Sequence, residues 1–176
     1  MQIGTNHVMK IVIGGVSNTG KSTLVASLAW KLKVRAISLD VWDNTLPYIC
    51  KGLAVPEDRP KVPKGYVKDE RIYLAIEQFK RTQGVIIGDL PGGKIANCVK
   101  EMVGCADVAI VIGRDQASIE YWQDVFRVFN KKVLCSIQTY LFNKPDYELT
   151  VGGINRRIIE SSELDAIASF IKPPLK

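Results

Sequence analysis

The fold is decided by one short stretch, Gly15-Val16-Ser17-Asn18-Thr19-Gly20-Lys21-Ser22. A mainly apolar segment over residues 8–14 precedes it, interrupted only by Lys10. Residues 22–33 follow, with leucines at positions 24, 28 and 32 on one helical face. The sequence therefore predicts a strand, a loop with glycine at both ends, and a helix, in that order.

This stretch satisfies the pattern Gly-x-x-x-x-Gly-Lys-Ser/Thr of a P-loop, in the strand-loop-helix setting that the motif requires. Backbone N–H groups of such a loop turn toward phosphate oxygens, and the helix N-terminus adds its positive dipole end. We expect Lys21 to reach the β- and γ-phosphates and the Ser22 hydroxyl to coordinate Mg²⁺. The residues expected to contact nucleotide here are Gly15, Val16, Ser17, Asn18, Thr19, Gly20, Lys21, Ser22 and Thr23.

Short apolar runs and helical patterns alternate along the rest of the chain. Strands are predicted at residues 8–14, 34–39, 84–88, 108–113 and 133–141. The predicted helices carry apolar stripes at Leu24, Leu28 and Leu32; at Ile72, Ile76 and Phe79; at Ile95, Val99 and Met102; at Ile119, Trp122, Phe126 and Phe129; and at Leu164, Ile167 and Ile171, the last beginning near Ser161 or Ser162. Strict alternation implies right-handed crossovers and helices on both faces. We therefore predict one domain over residues 1–176, a three-layer α/β/α P-loop fold with a mainly parallel central sheet.

Composition and charge narrow the class of protein. The 176 residues are 47% apolar and carry a net charge of +6, as in a globular domain that needs no disulfide or metal to form a core. The longest apolar runs are too short to span a bilayer, and no signal-peptide core is visible, which predicts a cytoplasmic protein. The single histidine, His7, argues against histidine-based hydrolysis, and the four cysteines are expected to be buried thiols.

The excess of basic over acidic residues bears on which ligands the protein could bind, and not on its fold. A modest positive field helps to gather an anionic ligand such as a nucleotide. It permits contact with nucleic acid without arguing for it.

A second acidic element follows the 84–88 strand. Asp89-Leu90-Pro91-Gly92 places an Asp at the carboxyl end of a strand, at the start of a D-x-x-G turn. This is the Walker B position, where Asp89 would hold Mg²⁺ through a water and the Gly92 N–H would sense a γ-phosphate. The alternative is that Asp89 caps a helix beginning near Gly93.

The second strand also ends in carboxylates. Asp40, with Asp43 as a weaker candidate, could orient a water, bind Mg²⁺ indirectly, or accept a proton from a substrate hydroxyl. Two carboxylates in a solvated turn are the alternative.

Asn143-Lys144-Pro145-Asp146 matches the N-K-x-D pattern of guanine-binding proteins. In that role, Asn143, Lys144 and Asp146 would read or pack on the base. Asn, Pro and Asp also form turns, so a hairpin turn is the alternative.

Residues 44–69 contain four prolines and two glycines, which predicts a long loop. Its place on the ligand side of the sheet makes it a candidate lid, switch or partner surface, with an ordered surface excursion as the alternative. Trp42 and Tyr48, in this region, could pack on a base or a partner.

Four segments together resemble the P-loop NTPases of the SIMIBI class, most nearly the MinD/ParA-like ATPases, over roughly residues 8–130. They are residues 15–22, 40–52, 89–92 and the run Cys105-Ala106-Asp107-Val108-Ala109-Ile110-Val111-Ile112. The resemblance implies an ATPase, favoured over a GTPase, with a protein partner or a homodimer formed over nucleotide. Val16 departs from that family, which has a signature lysine at the second P-loop position.

Three functions are consistent with these motifs. The leading one is a Mg²⁺-dependent hydrolase of ATP or GTP that acts as a nucleotide switch, with Lys21, Asp40 and Asp89 as catalytic residues. Hydrolysis is expected to be slow, because the loop lacks a second cation and Gly93 follows the D-x-x-G turn where a glutamine could hold water. The alternatives are a small-molecule or nucleoside kinase with Asp40 as base, and a non-catalytic nucleotide-binding module.

Overall fold

The computed structural model describes residues 8–42, 45–53, 69–92, 97–139 and 162–171. Five strands and six helices are defined within these ranges. In chain order they are β1 (Met9–Gly15), α1 (Lys21–Leu32), β2 (Arg35–Ser38), α2 (Thr45–Cys50), α3 (Asp69–Arg81), β3 (Val85–Asp89), α4 (Asn97–Gly104), β4 (Val108–Gly113), α5 (Gln116–Val128), β5 (Lys132–Gln138) and α6 (Ser162–Ile171).

The five strands form one parallel sheet in the order β2-β3-β1-β4-β5. β1 lies at its centre, between β3 and β4. Its last residues pair with the ends of both neighbours, Ile13 opposite Asp89 and Gly15 opposite Ile112. Strand order therefore changes direction at β1, and ligands bind at such switch points in open α/β sheets.

Helices cover both faces of the sheet, each over its own apolar core. On one face, α1, α2 and α6 pack on alternate strand residues such as Ile11 and Ile13. On the other, α3, α4 and α5 pack on residues of opposite parity such as Val12. This three-layer arrangement confirms the predicted fold class. It also explains the short apolar runs in the sequence, because a strand that is buried on both faces is apolar at successive positions.

The predicted apolar stripes account for most of these helix contacts. Leu24, Leu28, Ile76, Phe79, Trp122 and Phe126 are among the buried stripe residues. Ile72, Leu32 and Phe129 are half-buried at the borders of the two cores. α6 begins at Ser162, as predicted, while Ile95 lies outside the described residues.

Part of the predicted 44–69 loop is helical. α2 buries Leu46 and Ile49, three residues apart, in the core shared with α1. Pro47 is in the first turn of this helix, where its missing N–H removes no intrahelical hydrogen bond. The loop prediction is therefore wrong for residues 45–50, and residues 54–68 lie outside the described ranges.

The cysteine prediction also needs correction. All four thiols are free, but Cys50 is exposed, and Cys98, Cys105 and Cys135 are only partly buried. Cys50 is the last residue of the short α2, whose buried residues are Thr45, Leu46 and Ile49.

Within the described ranges, none of the helices combines the length and the apolar character needed to cross a bilayer.

Candidate functional site

The loop after β1 begins at a glycine that has no room for a side chain. A Cβ on Gly15 would lie 2.1 Å from the carbonyl oxygen of Ile112 and 2.6 Å from its Cγ2. The end of β1 can therefore approach β4 this closely only with glycine at this position. The first glycine of the motif fixes where the loop leaves the sheet.

Two later loop residues have left-handed backbone conformations. Asn18 has φ 61° and Gly20 has φ 81°, a region that glycine adopts freely and asparagine more readily than most residues. Gly20 is the N-cap of α1, and its carbonyl accepts from the Leu24 N–H at 2.9 Å. The loop thus turns directly into a helix whose first-turn N–H groups have no intrahelical acceptors, which is the geometry that binds anions.

Lys21 and Asp89 form a buried ion pair at the end of the central strands. The Lys21 ammonium lies 3.0 Å from Asp89 Oδ1, and the two side chains are 8% and 2% exposed. Direct pairing of β1 with β3 brings these residues together, although they are far apart in sequence. The carboxylate therefore faces Lys21. The alternative role, a cap for a helix beginning near Gly93, concerns residues 93–96, which lie outside the described residues.

The same carboxylate has unused acceptor capacity. Asp89 Oδ1 is buried and accepts no hydrogen bond of normal geometry from the residues that the structure describes, despite its short distance to the ammonium. The half-buried Ser22 lies in the first turn of α1, next to Lys21. A buried carboxylate oxygen with spare lone pairs, together with the hydroxyl of the serine that follows Lys21, is a donor set that suits Mg²⁺. The residues present therefore fit the metal that the motif implies.

The end of β2 reaches the same site through the backbone. The carbonyl oxygen of Asp89 accepts from the N–H groups of Leu39 and Asp40, at 2.9 and 3.0 Å. The Asp40 carboxylate accepts from the Trp42 N–H at 3.2 Å. The backbone of Asp40 is thus held beside that of Asp89, and a role for its carboxylate remains a prediction.

A contact between the P-loop and the D-x-x-G turn was not predicted from the sequence. The Gly92 carbonyl oxygen accepts from the Ser17 N–H at 2.9 Å and from the Ser17 hydroxyl at 2.8 Å. A Cβ on Gly92 would lie 2.7 Å from the Ser17 nitrogen. Glycine at position 92 therefore allows the turn to contact the loop. The prediction concerned the N–H of Gly92, whereas the contact that the structure shows is made by its carbonyl oxygen.

Thr139, just after β5, was also missed. Its buried hydroxyl lies 3.1 Å from the carbonyl oxygen of Thr19, inside the loop. A hydrogen bond from a side chain to a backbone carbonyl cannot be predicted from sequence periodicity, because every residue has a backbone carbonyl.

Two further side chains lie on the β2–α2 side of the site. Trp42 is half-buried, and its indole nitrogen has no hydrogen-bond partner among the described residues. Although Cys50 is exposed as a residue, desolvation raises the pKa of its thiol, and the negative charge of Asp89 raises it further.

The structure thus brings together Lys21, Ser22, Asp40, Asp89 and Gly92, with the loop from Gly15 to Thr23. Four other candidates, Asp43, Asn143, Lys144 and Asp146, lie outside the described residues.

Comparisons with known proteins support the fold. No family model and no curated protein matches the sequence. Among solved structures, apo McdA from Cyanthece matches with a TM-score of 0.50 and 13% identity, covering 97% of this chain and 84% of McdA. Shikimate kinase from Acinetobacter baumannii in complex with shikimate has a TM-score of 0.46 and 12% identity, covering 94% of each chain.

A third match is the MinC:MinD cell division protein complex of Aquifex aeolicus, with a TM-score of 0.43 and 14% identity, covering 96% of this chain and 98% of the other. At these identities the likeness concerns architecture alone. The strand order, the two helix layers, the loop and the likeness to the McdA structure together define the fold as that of the P-loop NTPases.

Proposed function

We propose that this chain binds a nucleoside triphosphate with Mg²⁺ on the 15–22 loop and hydrolyses it slowly, as a nucleotide-controlled switch. The observation that carries the proposal is the buried ion pair at the start of α1. The Lys21 ammonium lies 3.0 Å from Asp89 Oδ1, and this oxygen accepts no hydrogen bond of normal geometry from the described residues. A cation, a carboxylate and a helix N-terminus meet there, at a loop that begins with Gly15 and reaches the helix through Gly20.

The residues of the loop would have separate tasks. Backbone N–H groups between Gly15 and Ser22 would bind phosphate oxygens, and Lys21 would exchange its contact with Asp89 for one with the terminal phosphates. Ser22 and Asp89 would hold Mg²⁺, which neutralises phosphate charge when bound. Asp40, held beside Asp89 by the bond from its N–H, would orient the attacking water.

Slow turnover follows from the charges of the loop. Lys21 is the single cationic residue between Gly15 and Thr23, and Val16 is apolar. Phosphoryl transfer depends on cations that stabilise the charge of the transferring group, and a missing one costs orders of magnitude in rate. We therefore propose that a protein partner or a second copy supplies the missing cation.

The Ser17–Gly92 contact supports the switch. Because one loop residue donates twice to the D-x-x-G turn, a phosphate that displaces Ser17 would also release or move Gly92. Such coupling between a phosphate loop and a neighbouring turn is how nucleotide switches report the γ-phosphate.

A phosphate-release assay tests the proposal. Protein with Mg²⁺ and either ATP or GTP should release phosphate without any acceptor, at a rate well below that of typical kinases. Lys21→Ala should abolish release, whereas Lys33→Ala, an exposed residue at the far end of α1, should leave it unchanged. Release at an equal rate from Lys21→Ala would contradict the proposal.

A kinase is the second candidate, and the position of Asp40 favours it. A carboxylate that follows the end of β2, on a residue whose N–H is bound to Asp89, could accept the proton of an acceptor hydroxyl. Phosphorylated product that forms only when a nucleoside or small hydroxylated metabolite is added would favour this candidate over the hydrolase.

A further inference from the structure

Thr139 has a buried hydroxyl to which the proposed function gives no role. The residue is 1% exposed and follows directly after β5. Its Oγ1 lies 3.1 Å from the carbonyl oxygen of Thr19 and 3.3 Å from that of Gly113. Because a hydroxyl has one proton, the two carbonyls share it, and the Thr19 contact is the shorter.

The donor is fixed in the sheet and the acceptor lies in the loop. The Thr139 N–H donates to the Gly113 carbonyl at 2.8 Å, directly after the β4–β5 pairing ends at Gly113 and Gln138. Thr19, by contrast, lies between the two left-handed residues of the loop, Asn18 and Gly20. The hydroxyl therefore ties the most sharply turned part of the loop to the rigid end of the sheet.

The hydroxyl of Thr19 also holds a carbonyl of the loop. Thr19 is itself buried, and its Oγ1 donates to the Val16 carbonyl at 2.9 Å. Two loop carbonyls, those of Val16 and Thr19, are thus held by threonine donors. A loop that binds an anion through its N–H groups must keep its carbonyl oxygens away from that anion, since the two would repel each other.

We propose that Thr139 is a positioning residue for the phosphate loop. Its hydroxyl holds the Thr19 carbonyl inward, so that the neighbouring N–H groups face a triphosphate before the ligand arrives. This inference rests on the proposed function, because it concerns the same loop. Without the hydroxyl, the Thr19 carbonyl would lack a buried donor and would turn toward water, and binding would then require the loop to turn back.

Three variants separate this role from a general contribution to stability. Thr139→Val keeps the shape and removes the donor, and Thr139→Ser keeps the donor. Thr82→Val is the matched control, because Thr82 is also buried and its hydroxyl also donates to a backbone carbonyl, that of Gln78, at 2.7 Å. Thr82 precedes β3, at the opposite end of the sheet from the loop.

Calorimetry with Mg²⁺ and ATP, GTP or inorganic tripolyphosphate measures the effect. Thr139→Val should raise the Kd about tenfold for every one of these ligands that wild-type protein binds, because the loop holds the phosphates whatever the base. Thr139→Ser should restore the wild-type Kd within about threefold. Thr82→Val should keep the wild-type Kd while lowering the Tm.

The outcomes are distinguishable. If wild-type protein binds none of the three ligands, the proposed function fails and the inference fails with it. If wild-type protein binds and Thr139→Val binds equally well, the inference alone is overturned. A loss confined to one of several ligands that wild-type protein binds overturns it too. Should Thr139→Val not fold, Thr139→Cys, with a weaker donor of similar size, replaces it: a raised Kd supports the inference and an unchanged Kd overturns it.

Discussion

The carbonyl oxygen of Gly92 accepts two hydrogen bonds from Ser17, from its N–H at 2.9 Å and from its hydroxyl at 2.8 Å. The turn after β3 and the loop after β1 are therefore in direct contact. Any ligand that competes for the Ser17 N–H must also act on Gly92.

Substitution of Gly92 tests this contact. In Gly92→Ala, the added methyl would lie 2.7 Å from the Ser17 nitrogen and 2.8 Å from its Cα, which are backbone atoms that cannot swing away. We expect a loss of about 1–3 kcal/mol in the free energy of unfolding and weaker nucleotide binding. Gly104→Ala is the control, because a Cβ there meets no atom within 4 Å. Equal Tm and Kd values for the two variants would show that the loop and turn separate freely.

The buried ion pair should matter more than any exposed one. Asp89→Asn leaves the Lys21 ammonium in a site that is 8% exposed, without its carboxylate. We expect unfolding to become easier by about 3 kcal/mol in urea titrations without nucleotide. Asp124→Asn removes the partner of the exposed Arg127 and should cost less than about 1 kcal/mol. A similar, small loss for both variants would mean that the Lys21–Asp89 pair is solvated.

Lys131 has a structural role at the end of α4. Its ammonium donates to the carbonyls of Gly104 and Ala106 at 2.9 and 2.6 Å, where helix carbonyls lack intrahelical donors. Lys131→Met should lower the free energy of unfolding by about 1–3 kcal/mol in chemical denaturation. The neighbouring exposed Lys132→Met should change it by less than about 0.5 kcal/mol.

Alkaline pH should destabilise the fold partly through Cys135. Burial raises the pKa of this thiol from 9.0 to about 11, so the folded chain holds the proton that the unfolded chain releases first. Its contribution to stability is therefore complete below pH 9 and is lost as pH rises toward 11. Between pH 8 and 10.5, the Tm of Cys135→Ala should fall less than that of wild type. A parallel fall in both proteins would assign the alkaline loss to lysines and tyrosines alone.

The sequence predicted the sheet and most helices because their residues follow simple periods. Leu24 and Leu28 mark α1, and Ile86 and Ile87 mark β3, since burial on one or both faces dictates those patterns. The sequence-based prediction missed α2, because proline usually ends a helix and the position of Pro47 in the first turn was not known.

Some residues of the candidate site could also be predicted from the sequence, and others could not. Lys21, Ser22 and Asp89 lie in motifs with fixed spacing, so they could be named before their positions were known. Ser17 and Thr139 act through backbone carbonyls of Gly92 and Thr19, at sequence separations of 75 and 120 residues. Only the topology of the sheet brings these groups together.

Calorimetric titration of Mg²⁺ with ATP and with GTP tests the central claim most directly. Wild-type protein should bind at least one of them with a measurable heat, Lys33→Ala should bind with the same Kd, and Lys21→Ala should give no heat. Absence of heat for wild type with both nucleotides, or an unchanged Kd in Lys21→Ala, would contradict the assignment of the 15–22 loop as a triphosphate site.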